Sequence, residues 1–269
     1  MDTRDLARDL RAHAVRMVAR VNASHIGGAL SMADLLAVLY GGVLRVRPDE
    51  PAWPDRDRFI LSKGHCTASL YAALAGRGFF PAAELDTYGR DGSRLMAHVS
   101  HKVPGVEFST GSLGHGLGFG CGKALAAKRR AEAWRTFVLL SDGELDEGSN
   151  WEAILFAGHH GLENLVAVVD YNRIQSLGRV AEVLELEPLA DKFRAFGWGV
   201  REVDGHDHDA LRAAFAAVPF APGRPSVLIA HTVKGRGVDY MENDLAWHYR
   251  APVQPELLER ALKQLACAP

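Results

Sequence analysis

Little in this sequence invites a disulfide, a membrane or a polyanion. Only three of its 269 residues are cysteine, Cys66, Cys121 and Cys267. They form no Cys-x-x-Cys pair, so neither a disulfide framework nor a zinc site is expected, and isolated thiols suit a reducing, cytoplasmic setting. Net charge is small, −2 at neutral pH. That balance gives no electrostatic reason to expect nucleic acid or a membrane surface as a partner. No apolar run approaches the ~18–20 residues that span a bilayer. The first twenty or so residues are charged and periodic and lack the apolar centre of a signal peptide. Internal repeats, low-complexity tracts and a convincing linker are missing too. A chain of this length can bury a large core, and a single domain over 1–269 is expected.

What is present alternates. Thr3 is placed to cap a helix over 4–22, with Leu6, Leu10, Ala14, Met17 and Val21 along one stripe. A second helix is expected over 31–40, with Ser31 as its cap and Asp34 in its first turn. A short buried strand at 58–62 precedes a helix near 65–77, and a loop from Gly111 becomes a helix running to Ala131. Four further strand-like runs follow at 136–140, 165–170, 198–203 and 226–232, with helical segments near 148–161, 188–196 and 207–217 and a final helix over 255–266. This order predicts an α/β fold with a parallel β-sheet flanked by helices on both faces. The turn-rich 89–110 region is the longest irregular segment, and long loops in compact domains are often functional.

The stretch from Ser141 to Gln175 holds Asp142-Gly143 just after one strand and Tyr171-Asn172 just after the next, with 28 residues between Gly143 and Asn172. A strand–helix–strand unit takes roughly thirty residues and brings the two strand ends side by side. Ligands of open parallel sheets bind outside those carboxyl ends. Asp142 offers a carboxylate, Asn172 an amide oxygen, and the chain just beyond offers a carbonyl. Oxygens on one side suit a hard divalent cation, Mg²⁺ or Ca²⁺, whose shell is completed by phosphate and water. Gly143 leaves the backbone clear for a phosphate near the following helix. Either residue alone reads as an ordinary turn residue; the pair at crossover spacing points to a site.

These residues resemble the signature of thiamine diphosphate enzymes, Gly-Asp-Gly followed after 25–30 residues by Asn-Asn, with Ser141 and Tyr171 replacing the first Gly and first Asn. Within that superfamily the chain resembles the N-terminal, diphosphate-binding half of transketolase. Further motifs carry the resemblance in order: Ser24-His25-Ile26-Gly27-Gly28 with Ser31 to Asp34, Leu61-Ser62-Lys63-Gly64-His65, the glycine-rich run from Pro104 to Gly116, Asp204-Gly205-His206-Asp207, Thr232 to Gly237, and Trp247 to Pro252. The resemblance implies the thiamine-diphosphate-binding fold, with thiamine diphosphate and Mg²⁺ (or Ca²⁺) as cofactors. It implies that Asp142, Asn172 and the Ile174 carbonyl hold the metal, and that His65, Gly143 and His248 contact the diphosphate. Gly111, Ser112 and Leu113 would meet the aminopyrimidine, and His25, His248 and either His98 or His101 would face the reacting sugar. Leu95-Met96-Ala97-His98 favours His98. His115 stands where the family commonly has glutamine, Ser112 where it commonly has proline, and Glu147, Trp151 and Glu152 where it packs against its partner.

Other residues read more simply. His13, His159, His160, His206 and His208 read as surface, and His231, after a strand, as structural. The alternating glycines from Gly114 to Gly122 end no strand and lack a Walker lysine pattern, so they suit close packing of a helix against a neighbour. Lys234-Gly235-Arg236-Gly237 suits either a basic phosphate grip or a flexible loop around the cofactor. In the family a glutamate that protonates the aminopyrimidine sits on a separate pyrimidine-binding domain, for which this chain has no room. The resemblance therefore implies one subunit of a split transketolase, partnered by a second chain that carries that domain and glutamate. It would move a two-carbon ketol unit from a ketose phosphate to an aldose phosphate. Self-association through apolar surface near 111–122 and 150–158 would give a dimer alone and a heterotetramer with the partner. The alternatives are a subunit of another thiamine diphosphate enzyme, of the 2-oxo acid dehydrogenase or deoxyxylulose-phosphate-synthase type, or a non-catalytic cofactor-binding relic.

Overall fold

Short apolar runs bounded by turn residues form the strands β1 (Arg58–Leu61), β2 (Thr136–Ser141), β3 (Leu165–Tyr171), β4 (Gly199–Asp204) and β5 (Ser226–His231). This computed structural model describes residues 2–267. Among them the strands make one sheet in the order β1-β2-β3-β5-β4, and every pairing is parallel. All residues of β1, β2 and β3 are buried, whereas the edge strand β4 is partly exposed. A sheet buried on both sides needs apolar residues on both, and here successive residues serve opposite layers. Phe137, Leu139, Val166 and Val168 join one apolar cluster with helices α1 (Thr3–Val21), α2 (Ile26–Ser31), α3 (Ala33–Val38) and α4 (Thr67–Gly76). Val138, Leu140, Ala167 and Val169 join the other with α5 (Gly116–Arg129) and α6 (Gly148–His159). The chain continues through the short α7 (Val180–Val183) to α8 (Leu189–Ala195), which joins the second layer, while α9 (His208–Ala216) and α10 (Pro255–Cys267) pack in the first.

The glycine run of α5 acts as expected of a close-packed helix: a Cβ on Gly120 would lie 2.5 Å from Val138. Three other expectations are corrected. The cap of α1 is Asp2, whose carboxylate accepts the Arg4 N–H at 2.8 Å; Thr3 lies inside the helix, buried, and its hydroxyl meets His208 and Arg212. The helix expected over 31–40 is two short helices broken at Met32, followed by a wider turn over Leu39–Val43. Ser31 ends α2 instead of capping anything, and its hydroxyl reaches Asp170 at 2.6 Å. His208 is buried and His206 nearly so, not surface residues. Both bond the buried Asp34, which also pairs with Arg11, and this cluster staples α9 to α1 and α3. Among the described residues no helix is long and apolar enough to cross a membrane, and the three cysteines are free.

Candidate active site

At the carboxyl edge of the sheet the register pairs Ser141 with Asp170 and Tyr171 with His231. Asp142, Asn172 and Thr232 therefore leave the sheet beside one another. A cavity of about 280 Å³ opens there, lined from several separate segments of the chain. It brings together Asp142, Gly143, Asn172 and Ile174, the imidazoles of His25, His65, His98 and His248, and Gly111 and Leu113. Ser112 does not line it and is exposed. Of the two candidate histidines, His98 lines the cavity, whereas His101 is exposed and bonds the Ser109 hydroxyl at 2.7 Å.

The local fold explains the motifs. His25 sits in the left-handed region (φ 71°) at the head of α2, and its N–H donates to the His248 carbonyl at 2.8 Å. That bond fastens the segment carrying His248 over the cavity. Gly27 and Gly28 follow because two side chains cross them: a Cβ at 27 would lie 3.1 Å from Lys234 Cγ, and one at 28 would lie 2.7 Å from Cys66 Sγ. Gly143 is open for the same reason, since its Cβ would meet Gln175 at 2.7 Å. Arg173, a non-glycine residue at φ 66°, turns the chain after Asn172, and its N–H donates to Asp142. Left-handed backbone at a large residue persists only where its surroundings fix it.

Beneath the cavity lies a polar floor that motif reading missed. Lys63 and Asp170 form an ion pair buried on both sides. Asp170 also accepts from Ser31 and Thr232 and lies 3.4 Å from the Asn172 amide nitrogen. Burial opposes both charges, but the mutual contact wins: Lys63 is held above its ordinary value and Asp170 below. Glu144, fully buried, accepts from the Ser62 hydroxyl and from the Gly114 and Ser141 N–H groups, joining the ends of β1 and β2 to the loop before α5. Lys234 is buried, and its ammonium donates to the Ile174 carbonyl at 2.6 Å and to His248 Nδ1 at 2.9 Å.

Burial and the two lysines govern the titration of the rings. Burial, then His98 and Lys234, lowers His25 to about 4. Burial, then Lys234, lowers His248 to about 3, and burial with Lys63 holds His65 well below the imidazole range. All three are neutral at pH 7. Asp142 is pushed up to about 6 by burial and by the neighbouring Asp170.

The donor set suits a hard cation and an anion together. Among the described residues no group of three or more His, Cys, Asp or Glu could hold a metal. The expected set is different in kind: one carboxylate, one amide oxygen and one main-chain carbonyl. Such a set matches Mg²⁺, which takes few protein ligands and leaves positions for phosphate and water. Neutral imidazoles and an ammonium ion nearby are donors for those phosphates.

A parallel α/β sheet with such a pocket at its carboxyl edge defines a ligand-binding protein of the open-sheet class. The chain belongs to the transketolase family: the family model described as transketolase, thiamine diphosphate binding domain, matches residues 2–267. It is 42% identical over 256 residues to one of the subunits of the apulose-4-phosphate transketolase of Phocaeicola vulgatus, covering 95% of this chain and 91% of that relative. It is 41% identical to a 6-deoxy-6-sulfo-D-fructose transketolase subunit from a Clostridium species, covering 92% and 90%. The transketolase structure from Leishmania mexicana matches with a TM-score of 0.92 at 31% identity, over 99% of this chain and 41% of that one. The chain thus spans about two fifths of that solved transketolase and nine tenths of the subunit relatives. It is a thiamine diphosphate-binding domain of a transketolase-type transferase.

Proposed function

We propose that this chain is the diphosphate-binding subunit of a two-chain transketolase that transfers a two-carbon ketol unit from a ketose phosphate to an aldose phosphate. The observation that carries the reading is the cavity uniting Asp142, Asn172 and Ile174 with His25, His65, His98 and His248. Relatives that are named as transketolase subunits and match over nine tenths of their length support the two-chain part.

In this reading Asp142, Asn172 and the Ile174 carbonyl hold Mg²⁺, with Gly143, His65 and His248 on the diphosphate. Gly111 and Leu113 border the aminopyrimidine side. Thiamine diphosphate bound there supplies a carbanion sink at its thiazolium ring. This chain's residues do the rest of their work by position and proton handling. His25, neutral and half-buried, can take or return a proton on a sugar hydroxyl, and its buried Nδ1 has no partner among the described residues. His98, exposed at the mouth, meets the part of the sugar nearest solvent. The glutamate that acts on the aminopyrimidine comes from the second chain, which also supplies most sugar-phosphate anchors. Leu155 and Phe156, exposed on α6, form the apolar surface through which the chain self-associates and meets its partner.

Calorimetric titration of thiamine diphosphate with Mg²⁺, with and without the partner chain, tests the proposal. Binding should require metal and strengthen with the partner. Changing a group that only supports a metal ligand costs about 10–100-fold in metal affinity, so Asp142→Asn, at a ligand itself, should cost at least roughly a hundredfold. Equal binding by Asp142→Asn, or no ketol transfer by the reconstituted pair on any sugar phosphate tried, would overturn it.

A further inference from the structure

Lys234 lies in the Thr232–Gly237 turn, and its ammonium touches one member of the proposed metal set, the Ile174 carbonyl, and one of the proposed diphosphate set, His248. Its position is tightly determined. The residue is 3% exposed, its stem packs across Gly27, and among the described residues its ammonium bonds two acceptors, the Ile174 carbonyl and His248 Nδ1. An ammonium ion has three N–H groups and no lone pair. A nitrogen 2.9 Å from it must therefore accept, and an imidazole whose Nδ1 accepts carries its single proton on Nε2. No hydrogen bond to Nε2 is formed by the described residues, so this N–H is free for the cavity that His248 lines.

We propose that Lys234 is a positioning residue for His248, fixing the imidazole's proton on Nε2 so that the ring presents a donor to the cavity. The opposite tautomer would turn a lone pair toward an anionic ligand and repel it. Backbone geometry agrees: the His248 carbonyl accepts the His25 N–H, so the main chain of the segment is pinned from one side while Lys234 pins the ring from the other. The same ammonium ties the His248 segment to the 172–175 turn through the Ile174 carbonyl, so the tautomer and the placement of that carbonyl have one cause.

The inference rests on the proposed function for its purpose, but its test does not. Long-range proton–nitrogen NMR spectra of the histidine-labelled full chain at pH 7, with His248 assigned through His248→Gln, report the tautomer directly. The wild type should show a single Nε2–H form at His248. Lys234→Met should give a mixture or the Nδ1–H form, and Lys234→Arg, which restores a donor, should return the Nε2–H signature at least in part. A thermal melt of each variant checks folding. An Nδ1–H form in the wild type, or an unchanged tautomer in a folded Lys234→Met, would overturn the assignment. Thiamine diphosphate affinity with Mg²⁺ and partner should fall on the order of tenfold in Lys234→Met, the scale of one hydrogen bond to a charged group. Failure of the wild type to bind the cofactor at all would sink the functional reading while leaving the tautomer result standing.

Discussion

Three imidazoles kept neutral by burial beside two ammonium ions have a consequence in acid. Unfolded histidine titrates near 6.5. Folded His25 titrates at about 4, His248 at about 3 and His65 well below the ordinary value. Between these limits the unfolded chain binds more protons than the folded one. Stability is then complete above about pH 6.5 and lost as pH falls toward 4. Asp142 works the other way, because its carboxyl is raised to about 6 and the folded state gains protons there first. Glu144, also raised by burial, joins it, but two carboxyls oppose three imidazoles, and Asp34 and Asp170, held below their ordinary values, act with the imidazoles, so the net effect is loss. Urea unfolding at pH 7, 6 and 5 should show a steady decline, and His25→Gln with His248→Gln should flatten it; a level wild-type profile would show that the rings titrate normally. The acid and amide of this site were legible because each follows an apolar run at one crossover's spacing. Lys234 was legible only as a phosphate grip or loop element and Lys63 only as a motif member, since their partners Ile174, His248 and Asp170 come from distant segments of the chain. His206 and His208 were misread for the same reason: Asp34 lies 172 and 174 residues away in the chain.

Elements meet at the buried Lys63–Asp170 pair. Asp170 lies near the end of β3, Lys63 follows β1, Ser31 ends α2 and Thr232 follows β5, so one carboxylate pins four elements under the cavity. Such pairs contribute little over an apolar replacement, but losing one member leaves an uncompensated charge. Lys63→Met should therefore destabilise by about 3–5 kcal/mol, and Lys63→Met with Asp170→Leu should cost clearly less in the same denaturant titration. Equal costs for the single and double changes would mean that the pair is held by the layer around it and not by charge. The double variant should still lose order at Asn172, whose amide nitrogen faces Ser31 and Asp170. Strands were legible as elements because short apolar runs bounded by turn residues have strand length, even where burial on both faces removes any alternation. The break at Met32 was not: every residue of α2 and α3 is buried, so a continuous apolar pattern runs through two separate helices. Ser31 and Asp34 there mimic a helix start while serving long-range contacts, the substitution of tertiary for local logic that propensity cannot foresee.

At the scale of the molecule the question is what covers α6. Leu155 is 57% exposed and Phe156 39%, neighbours on one helix, with the Phe156 ring 4.2 Å from the His160 ring between centroids. Single exposed apolar residues are ordinary. An adjacent pair matters more here because α6 follows directly from the Asp142–Asp146 turn, so whatever docks on it adjoins the cofactor cavity. Trp151 of the same helix is held inward, its indole N–H donating to the Leu145 carbonyl at 2.8 Å, so the helix is rigidly seated and can present a fixed surface. If this face joins the chains, Leu155→Asp with Phe156→Asp should shift the protein toward monomer in sedimentation velocity and weaken its complex with the partner chain. Stability should change little, because surface substitutions away from buried features stay within roughly 0.5 kcal/mol. Metal-dependent cofactor binding by the isolated chain should survive, since Asp142, Asn172 and Ile174 are held from within. Unchanged assembly in the double variant would move the interface elsewhere. Loss of assembly together with loss of cofactor binding by the isolated chain would mean instead that the cavity is shaped by the neighbouring copy.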